Sequence, residues 1–446
     1  MALTGIQIYK LLPQTNCKEC GFPTCLAFAM KLAAKQVELS ACPYVTPEAK
    51  TQLAESAAPP IRLVALKSGS FEAKAGNEVV LFRHEKTFYN KPGIFLRVYD
   101  NQTADAIKTI AAEASAYAVN YVGMDLTVDG FAVASTSGDP NAFTAAVQAI
   151  REVSKRPIIL MSREANVIKA GLNVLKDETP LIYGADAKNW EAFANLAKES
   201  KSALGVVAGS LAEMAELTES IKAAGIEDIV IDPGGRDLGT GLAIGTTIRR
   251  LAVKKNFRAL GFPVITFPGD VSDPGMEAVQ AAQAITKYAG FIVLDHFNPS
   301  TIYPLLVLRQ NIYTDPQKPI QVQPGIYEIN APKPESPVLV TTNFSITYFS
   351  VANEVEGSGL PAWLLVTDAE GMSVLTAWAA GKFDAERIAK AVKGFNVADK
   401  VSRKRVVLPG HVAVLSGELE AELPDWEIRV GPREAVDLPA FMKQAL

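Results

Sequence analysis

Leu204-Gly-Val-Val207 and Asp228-Ile-Val-Ile-Asp232 are two apolar runs of strand length, with a helical stretch from Leu211 to Ala224 between them. Neither run alternates apolar with polar residues, so a strand formed there is covered on both faces, as in a parallel sheet. Strand, helix and second strand make a βαβ unit. The pattern spreads in both directions. Upstream lie Val79-Val-Leu-Phe82, Ile94-Phe-Leu-Arg-Val98, Tyr121-Val-Gly-Met124, Pro157-Ile-Ile-Leu-Met161 and Leu181-Ile-Tyr183. Downstream lie Val264-Ile-Thr-Phe267 and Phe291-Ile-Val-Leu-Asp295. Helical stretches at Ala104 to Tyr117 and Ala142 to Ser154 continue the alternation. Two seams bound it: residues 46–60, ending Pro59-Pro60, and Thr314 to Pro337, with prolines at 316, 319, 324, 332, 334 and 337. The span between them is close to the ~250 residues of a (β/α)8 barrel. Nine runs compete for eight strands, and the first, near Val79, reads as a hairpin over the barrel floor.

The tail repeats the logic on a smaller scale. Val338-Leu-Val-Thr341, Trp363-Leu-Leu-Val-Thr367, Arg405-Val-Val-Leu408 and Trp426-Glu-Ile-Arg-Val430 read as strands, and glycine turns at Gly371, Gly410 and Gly431 follow the last three. Helices are expected at Ser373 to Ala380, Ala385 to Lys393 and Arg433 to Lys443. Such turns present backbone N–H groups at a sheet's carboxyl edge, where a ligand crevice forms; taken singly they are ordinary connections. The expected fold class is therefore α/β in three parts. A small N-terminal cluster domain with its linker covers 1–58, a central TIM barrel covers 59–325, and a Rossmann-like α/β domain covers 326–446.

The cluster domain is expected from four cysteines. Cys17, Cys20, Cys25 and Cys42 are all that the 446 residues contain, and the gaps between them are two, four and sixteen residues. Structural zinc is usually gripped by two Cys-x-x-Cys knuckles, and this chain has one. Uneven spacing suits the wider corners of a [4Fe–4S] cube better. Gly21 and Pro23 make a turn, Thr24 reads as an N-cap, and Leu26 to Gln36 reads as helix, which puts Cys25 in a first helical turn favourable to an anionic cluster. Zinc is the alternative. Disulfides fit least, because Met1 leads into Ile6-Gln-Ile-Tyr-Lys10 without a secretory leader, and a cytoplasmic setting is expected.

Composition excludes other classes. A net charge of −4 gives no basic footprint for nucleic acid. No apolar run reaches the ~20 residues of a membrane span.

Three segments arranged in this way, with Asn16-Cys-Lys-Glu-Cys-Gly-Phe-Pro-Thr-Cys25, Thr341-Thr-Asn-Phe-Ser-Ile-Thr-Tyr348, Ser373-Val-Leu-Thr-Ala-Trp378 and Val430-Gly-Pro-Arg-Glu434, form a specific combination. The chain resembles the large (gamma) subunits of corrinoid iron–sulfur proteins of the reductive acetyl-CoA pathway, over its whole length. The resemblance implies a methyl carrier rather than a self-sufficient enzyme. Its corrinoid cobalt, as Co(I), takes a methyl group from methyltetrahydrofolate through a separate methyltransferase and delivers it to CO dehydrogenase/acetyl-CoA synthase. The [4Fe–4S] cluster on Cys17, Cys20, Cys25 and Cys42 reactivates cobalt that has slipped to Co(II). The linker ending at Pro59-Pro60 lets the cluster domain approach the corrinoid. A smaller subunit completes a heterodimer, with the corrinoid between it and the tail.

The implied corrinoid contacts carry over onto the tail. They are Thr342 and Thr347 against the ring or its arms, and Gly371, Met372, Ser373 and Val374 in the turn at its lower face. Thr376 and Ala377 follow on the next helix, and Gly410, Gly431, Pro432 and Arg433 supply the remaining turns. Many corrinoid proteins place a histidine on cobalt through Asp-x-His-x-x-Gly. Here only His84, His296 and His411 exist, and neither Asp295-His296-Phe-Asn298 nor Pro409-Gly-His411 matches. A base-off cofactor is therefore expected, with His84 and His411 as ordinary polar residues.

Two rivals remain. Asp232-Pro-Gly-Gly-Arg-Asp237 ends a barrel strand, and Asp125, Asp232 and Asp295 fall near strand ends, where a pterin-binding methyltransferase would work; plain helix capping is the simpler role. The other rival is an electron-transfer scaffold that holds a cluster alone.

Overall fold

The computed structural model describes residues 5–445, apart from 34–36, 38, 48, 51–52, 54–58, 86, 122–123 and 316–319. Two compact units emerge, residues 1–118 with 127–313, and residues 119–126 with 314–446.

The first unit contains a closed barrel of eight parallel strands. In chain order they are Gly93–Tyr99, Gly130–Ala134, Ile158–Met161, Leu181–Ala185, Ala203–Val207, Ile229–Asp232, Val264–Thr266 and Ala289–Leu294. Each pairs with the next, and the last closes on the first. The apolar runs form these strands because both faces are covered, by the barrel interior and by the surrounding helices. Phe95, Ile159, Leu181, Val230, Ile265 and Phe291 meet inside.

Two strand assignments need correction. Val79–Phe82 is not a strand; the floor hairpin is Val64–Ser68 with Phe71–Ala75, whose Val64, Leu66, Ala73 and Ala75 close the barrel interior. Tyr121–Met124 is not a barrel strand either. Val119–Tyr121 and Met124–Leu126 pair as an antiparallel hairpin that belongs to the second unit. Tyr121 and Met124 pack there beside the tail's own apolar side chains. The barrel's second strand is Gly130-Phe-Ala-Val-Ala134, buried throughout. Glycine and alanine form strands poorly by propensity, but small residues fit a barrel interior already filled by Phe95 and Phe291.

The second unit is a five-stranded sheet in the spatial order Gly325–Ile329, Ala362–Thr367, Val338–Thr342, Arg405–Leu408, Glu427–Val430. The first is an antiparallel edge; the other four are parallel. Gly325–Ile329 is therefore part of the tail sheet, although a boundary at 325/326 would cut it. Alternate residues face opposite sides. Val338, Val340, Leu365 and Leu408 meet the helices Val374–Ala379, Ala385–Gly394 and Ser416–Glu422. Leu339, Leu364, Val366 and Val407 meet Ser345–Ser358 and Leu438–Ala445. The parallel strands run 2-1-3-4, the order of flavodoxin-like doubly wound sheets rather than of the longer dinucleotide-binding sheet. Arg433 precedes the last helix, which begins at Leu438. No helix among the described residues is long and apolar enough to cross a membrane.

Candidate functional sites

Reversal of strand order opens a crevice at a sheet's carboxyl edge. In the tail this point lies between Val338–Thr342 and Arg405–Leu408. A cavity of about 310 Å³ opens there. Thr347, Ser373, Val374, Gly431, Pro432 and Arg433 line it. Thr342, Gly371, Met372, Thr376, Ala377 and Gly410 do not line it. Of these, Ala377 is buried in the core that Val374 and Leu408 also join, and Thr376 is exposed, with its hydroxyl 3.0 Å from that of Ser373.

Gly371 and Gly410 act on the crevice through its walls. Gly371 has φ of 73°, and Oδ1 of buried Asn343 accepts its N–H at 3.0 Å and that of Ala369 at 2.9 Å. The turn that leads to Ser373 is thereby fixed. At Gly410 a Cβ would stand 2.6 Å from the Gly431 carbonyl oxygen and 2.8 Å from the Arg433 nitrogen. Only glycine lets these two turns touch.

Other lining residues escaped the sequence reading: Ile346, Ser350, Leu375, Pro409, His411 and Glu434. Ile346 is 66% exposed and Leu375 46%, so the crevice mouth is apolar and open. A signal was present, since both stand in the first turn of a helix that follows a strand's end. His411 stands on the wall, with Nε2 3.7 Å from Glu434 Oε1. His84 is exposed and stacks on Phe82.

The residues present fit a large, flat, amide-bearing cofactor. Thr341 and Thr342 are fully buried, and among the described residues their hydroxyls are the buried side-chain polar atoms without a hydrogen-bond partner. Such orphans are costly in a closed core and are usually satisfied. Thr341 lies on the crevice wall. Hydroxyls, one exposed guanidinium and an apolar mouth suit a corrin with amide arms and a phosphate. The N–H groups of Gly371, Gly410 and Gly431 are not part of that donor set, being taken by Asn343 Oδ1 and by the Pro432 and Leu408 carbonyls.

In the cluster segment, Thr24 caps the helix Cys25–Ala33 as expected, accepting the Ala27 N–H at 3.1 Å. Cys25 and Cys42 are buried in one small core with Phe28, Val45 and Leu53, Cys20 packs against it, and Cys17 is exposed. All four thiols are free. The Tyr44 hydroxyl donates to Glu19 Oε1 at 2.8 Å. That bond raises the Tyr44 pKa, and Cys17 and Cys42 add to the rise. Among the described residues no three His, Cys, Asp or Glu side chains are gathered to hold a metal ion. The fit to a cluster rests on the donor set: four thiols on one small frame, two of them buried. Of the linker, residues 48, 51–52 and 54–58 lie outside the described residues.

The barrel mouth holds a chain of ion pairs. Tyr99 donates to Asp295 at 2.5 Å, and Arg97 bridges Asp295 at 2.6 Å and Asp270 at 2.8 Å. Arg236 bridges Asp270 at 2.9 Å and Asp232 at 2.6 Å, and Tyr183 donates to Asp232 at 2.5 Å. Burial, followed by the bond to Asp295, pushes the Tyr99 pKa up to about 12. Burial and Asp232 push that of Tyr183 well above its ordinary value. Burial opposes the charges of Arg97 and Arg236, but their aspartates outweigh it and hold both guanidinia protonated. These groups satisfy one another and staple the loops of the mouth. Asp125 lies in the hairpin Val119–Tyr121 with Met124–Leu126, and the helix Leu238–Lys255 after Asp232 is capped by Asp237, which accepts the Thr240 N–H at 2.9 Å. His296 Nδ1 is 2.6 Å from buried Glu277.

Comparison with known proteins sets the cysteine segment apart and spans the barrel and the tail in one match. Residues 64–442 match the family described as CO dehydrogenase/acetyl-CoA synthase delta subunit, and residues 12–44 match one described as putative Fe-S cluster. The chain is 44% identical to the corrinoid/iron-sulfur protein large subunit of Moorella thermoacetica, with all of both chains covered. It is 34% identical to the acetyl-CoA decarbonylase/synthase complex subunit gamma of Methanopyrus kandleri, over 99% of this chain and 98% of that one. A dihydropteroate synthase from Xanthomonas albilineans covers 56% of this chain and is itself fully covered, at 13% identity and a TM-score of 0.38, too distant to carry an argument. With an eight-stranded barrel, a four-cysteine segment and full-length similarity to these subunits, the chain belongs to the family of corrinoid/iron–sulfur protein large subunits and acetyl-CoA decarbonylase/synthase gamma subunits.

Proposed function

We propose that the chain is a methyl carrier whose tail crevice holds a base-off corrinoid and whose four cysteines hold a [4Fe–4S] cluster. The observation that carries this reading is the crevice at the switch between Val338–Thr342 and Arg405–Leu408, lined by hydroxyls and glycine turns and open through apolar side chains. When bound, the corrinoid supplies a cobalt that accepts and releases a methyl group, and the cluster supplies a single low-potential electron.

The chain's own residues bind and orient. Thr347 and Ser373 offer hydroxyls to amide arms, and Arg433 offers a guanidinium to a phosphate. Gly371 and Gly410 hold the turns that carry Ser373 and Arg433 to the crevice. Ile346 and Leu375 exclude water from its edge. No histidine stands in the Asp-x-His-x-x-Gly pattern, which favours a cobalt without a protein imidazole. His411 is read as a wall residue beside Glu434. The exposed mouth calls for a covering partner, here the small subunit of a heterodimer. A separate methyltransferase and CO dehydrogenase/acetyl-CoA synthase are the donor and acceptor machines.

The test is label transfer. The chain with its small subunit, reductant and the separate methyltransferase is given methyltetrahydrofolate carrying a radioactive methyl group. Label is expected on the protein in proportion to its cobalt, and then on acetyl-CoA synthase. Cobalt-replete protein that takes no label would overturn the carrier reading. Label taken without the methyltransferase would make the chain an enzyme in its own right.

A further inference from the structure

The Cys25 N–H donates to Oδ1 of Asn16 at 2.8 Å. Cys25 opens the helix Cys25–Ala33, and an N–H in that position has no partner within the helix. In a cluster site such a donor is available to a sulfur. Hydrogen bonds to the sulfurs stabilise the added charge of the reduced state and are among the factors that set the potential. Here the donor is taken by a side chain nine residues upstream. Asn16 has φ of 51°, in the left-handed region that asparagine tolerates better than most residues. Its carbonyl is thus aimed by the backbone itself.

Other donors around the thiols are also engaged by oxygen. Ala27 N–H goes to Thr24 Oγ1 at 3.1 Å. Gly21 N–H goes to the Lys18 carbonyl at 2.9 Å, and Cys42 N–H to that of Leu39 at 3.1 Å. The Tyr44 hydroxyl goes to Glu19. The sequence alone suggests the opposite, a helix start that points its N–H groups at an anionic cluster.

We infer that Asn16 is a positioning residue that keeps the cluster's potential low by withholding the Cys25 N–H from the sulfurs. The inference rests on the reading of the four cysteines as cluster ligands. Two variants separate acceptor from backbone. Asn16→Gly keeps the left-handed conformation and removes the acceptor, whereas Asn16→Asp keeps an acceptor in place.

Each protein is prepared anaerobically as the full chain with its small subunit. Iron is counted, and the cluster is titrated against potential by electron paramagnetic resonance. For iron-replete Asn16→Gly the reduced-to-oxidised ratio at a fixed potential should rise about tenfold, roughly 59 mV for one electron. Asn16→Asp should lie at or below wild type. An iron-replete Asn16→Gly with unchanged potential overturns the inference. If Asn16→Gly fails to take up iron, Asn16→Ala, which also lacks the acceptor, decides: a raised potential supports the inference, and an unchanged or lower one overturns it. Wild type that binds no iron overturns the cluster reading first and this inference with it.

Discussion

Asn343 and Gly371 are joined by a single hydrogen bond, from the Gly371 N–H to Asn343 Oδ1 at 3.0 Å, and it sets one wall of the tail crevice. The same oxygen holds Ala369, and Nδ2 donates to Gln321 and Asp368, each at 3.2 Å. Asn343→Ala would strand two backbone N–H groups at a site only 1% exposed. The expected cost is about 1–3 kcal/mol for each stranded group. Three of the four tryptophans, Trp363, Trp378 and Trp426, lie in the tail and the fourth, Trp190, in the barrel unit, so urea unfolding followed by tryptophan fluorescence in a Trp190→Phe background reports on the tail. Cobalt content should fall with stability. Undiminished stability and full cobalt would contradict the role given to Asn343.

Gly410 makes a sharper test, because its neighbours are backbone atoms that cannot swing away. A methyl group there meets the Gly431 oxygen at 2.6 Å and the Pro432 carbonyl carbon at 2.7 Å. Gly410→Ala should cost about 1–3 kcal/mol by overpacking and should weaken cobamide binding. Gly394→Ala is the control. Nothing stands within 4 Å of its Cβ, and it ends the helix Ala385–Gly394, so a gain of up to roughly 1 kcal/mol is expected with cobalt unchanged.

Asp100 contributes to the acid limb of barrel stability. Burial opposes its ionisation, but hydrogen bonds from the Ser137 hydroxyl, the Thr136 N–H and the Ser135 hydroxyl outweigh it and hold its pKa below the ordinary value. A carboxyl depressed in the folded state stabilises above its unfolded pKa, and this contribution is lost as pH falls through the folded one. Asp100→Asn should therefore be less stable than wild type at pH 7. The gap should close below about pH 4. A gap that persisted at low pH would contradict the assignment. Circular dichroism melts across the pH series measure it.

The ion-pair chain at the barrel mouth is read as a staple, not as a site. Asp232 is fully buried between Arg236 and Tyr183. Asp232→Asn removes one partner of a desolvated pair, with an expected loss of about 3–5 kcal/mol. Iron and cobalt per folded molecule should stay as in wild type. A variant that folded normally but lost methyl uptake would move the chemistry into the barrel.

The barrel was legible because its strands are buried on both faces: Ile229–Asp232 and Phe291–Leu294 announce themselves as unbroken apolar runs. Gly130–Ala134 did not, since its glycine and alanines carry no strand signal and owe their place to the volume of Phe95 and Phe291. Tyr121–Met124 misled for the opposite reason. Its apolar side chains serve the tail, a destination that linear sequence does not encode. Of the glycine turns at 371, 410 and 431, Gly431 lines the crevice, whereas Gly371 and Gly410 stand behind its walls. Ile346 and Leu375 were missed because apolar residues in a first helical turn look like core until the fold leaves them exposed. Cys25 was placed correctly at a helix start, yet the direction of its N–H depends on the left-handed backbone at Asn16.

The most direct test of the carrier reading is metal analysis of the chain purified anaerobically with the proposed small subunit, together with its absorption spectrum. The account predicts about four irons and one cobalt, with a corrinoid band that shifts on reduction. Cys20→Ala should lose the iron and keep the cobalt, whereas Gly410→Ala should do the reverse. Wild type carrying iron but no cobalt, with its partner present, would contradict the carrier reading and leave the crevice between Val338–Thr342 and Arg405–Leu408 without its ligand.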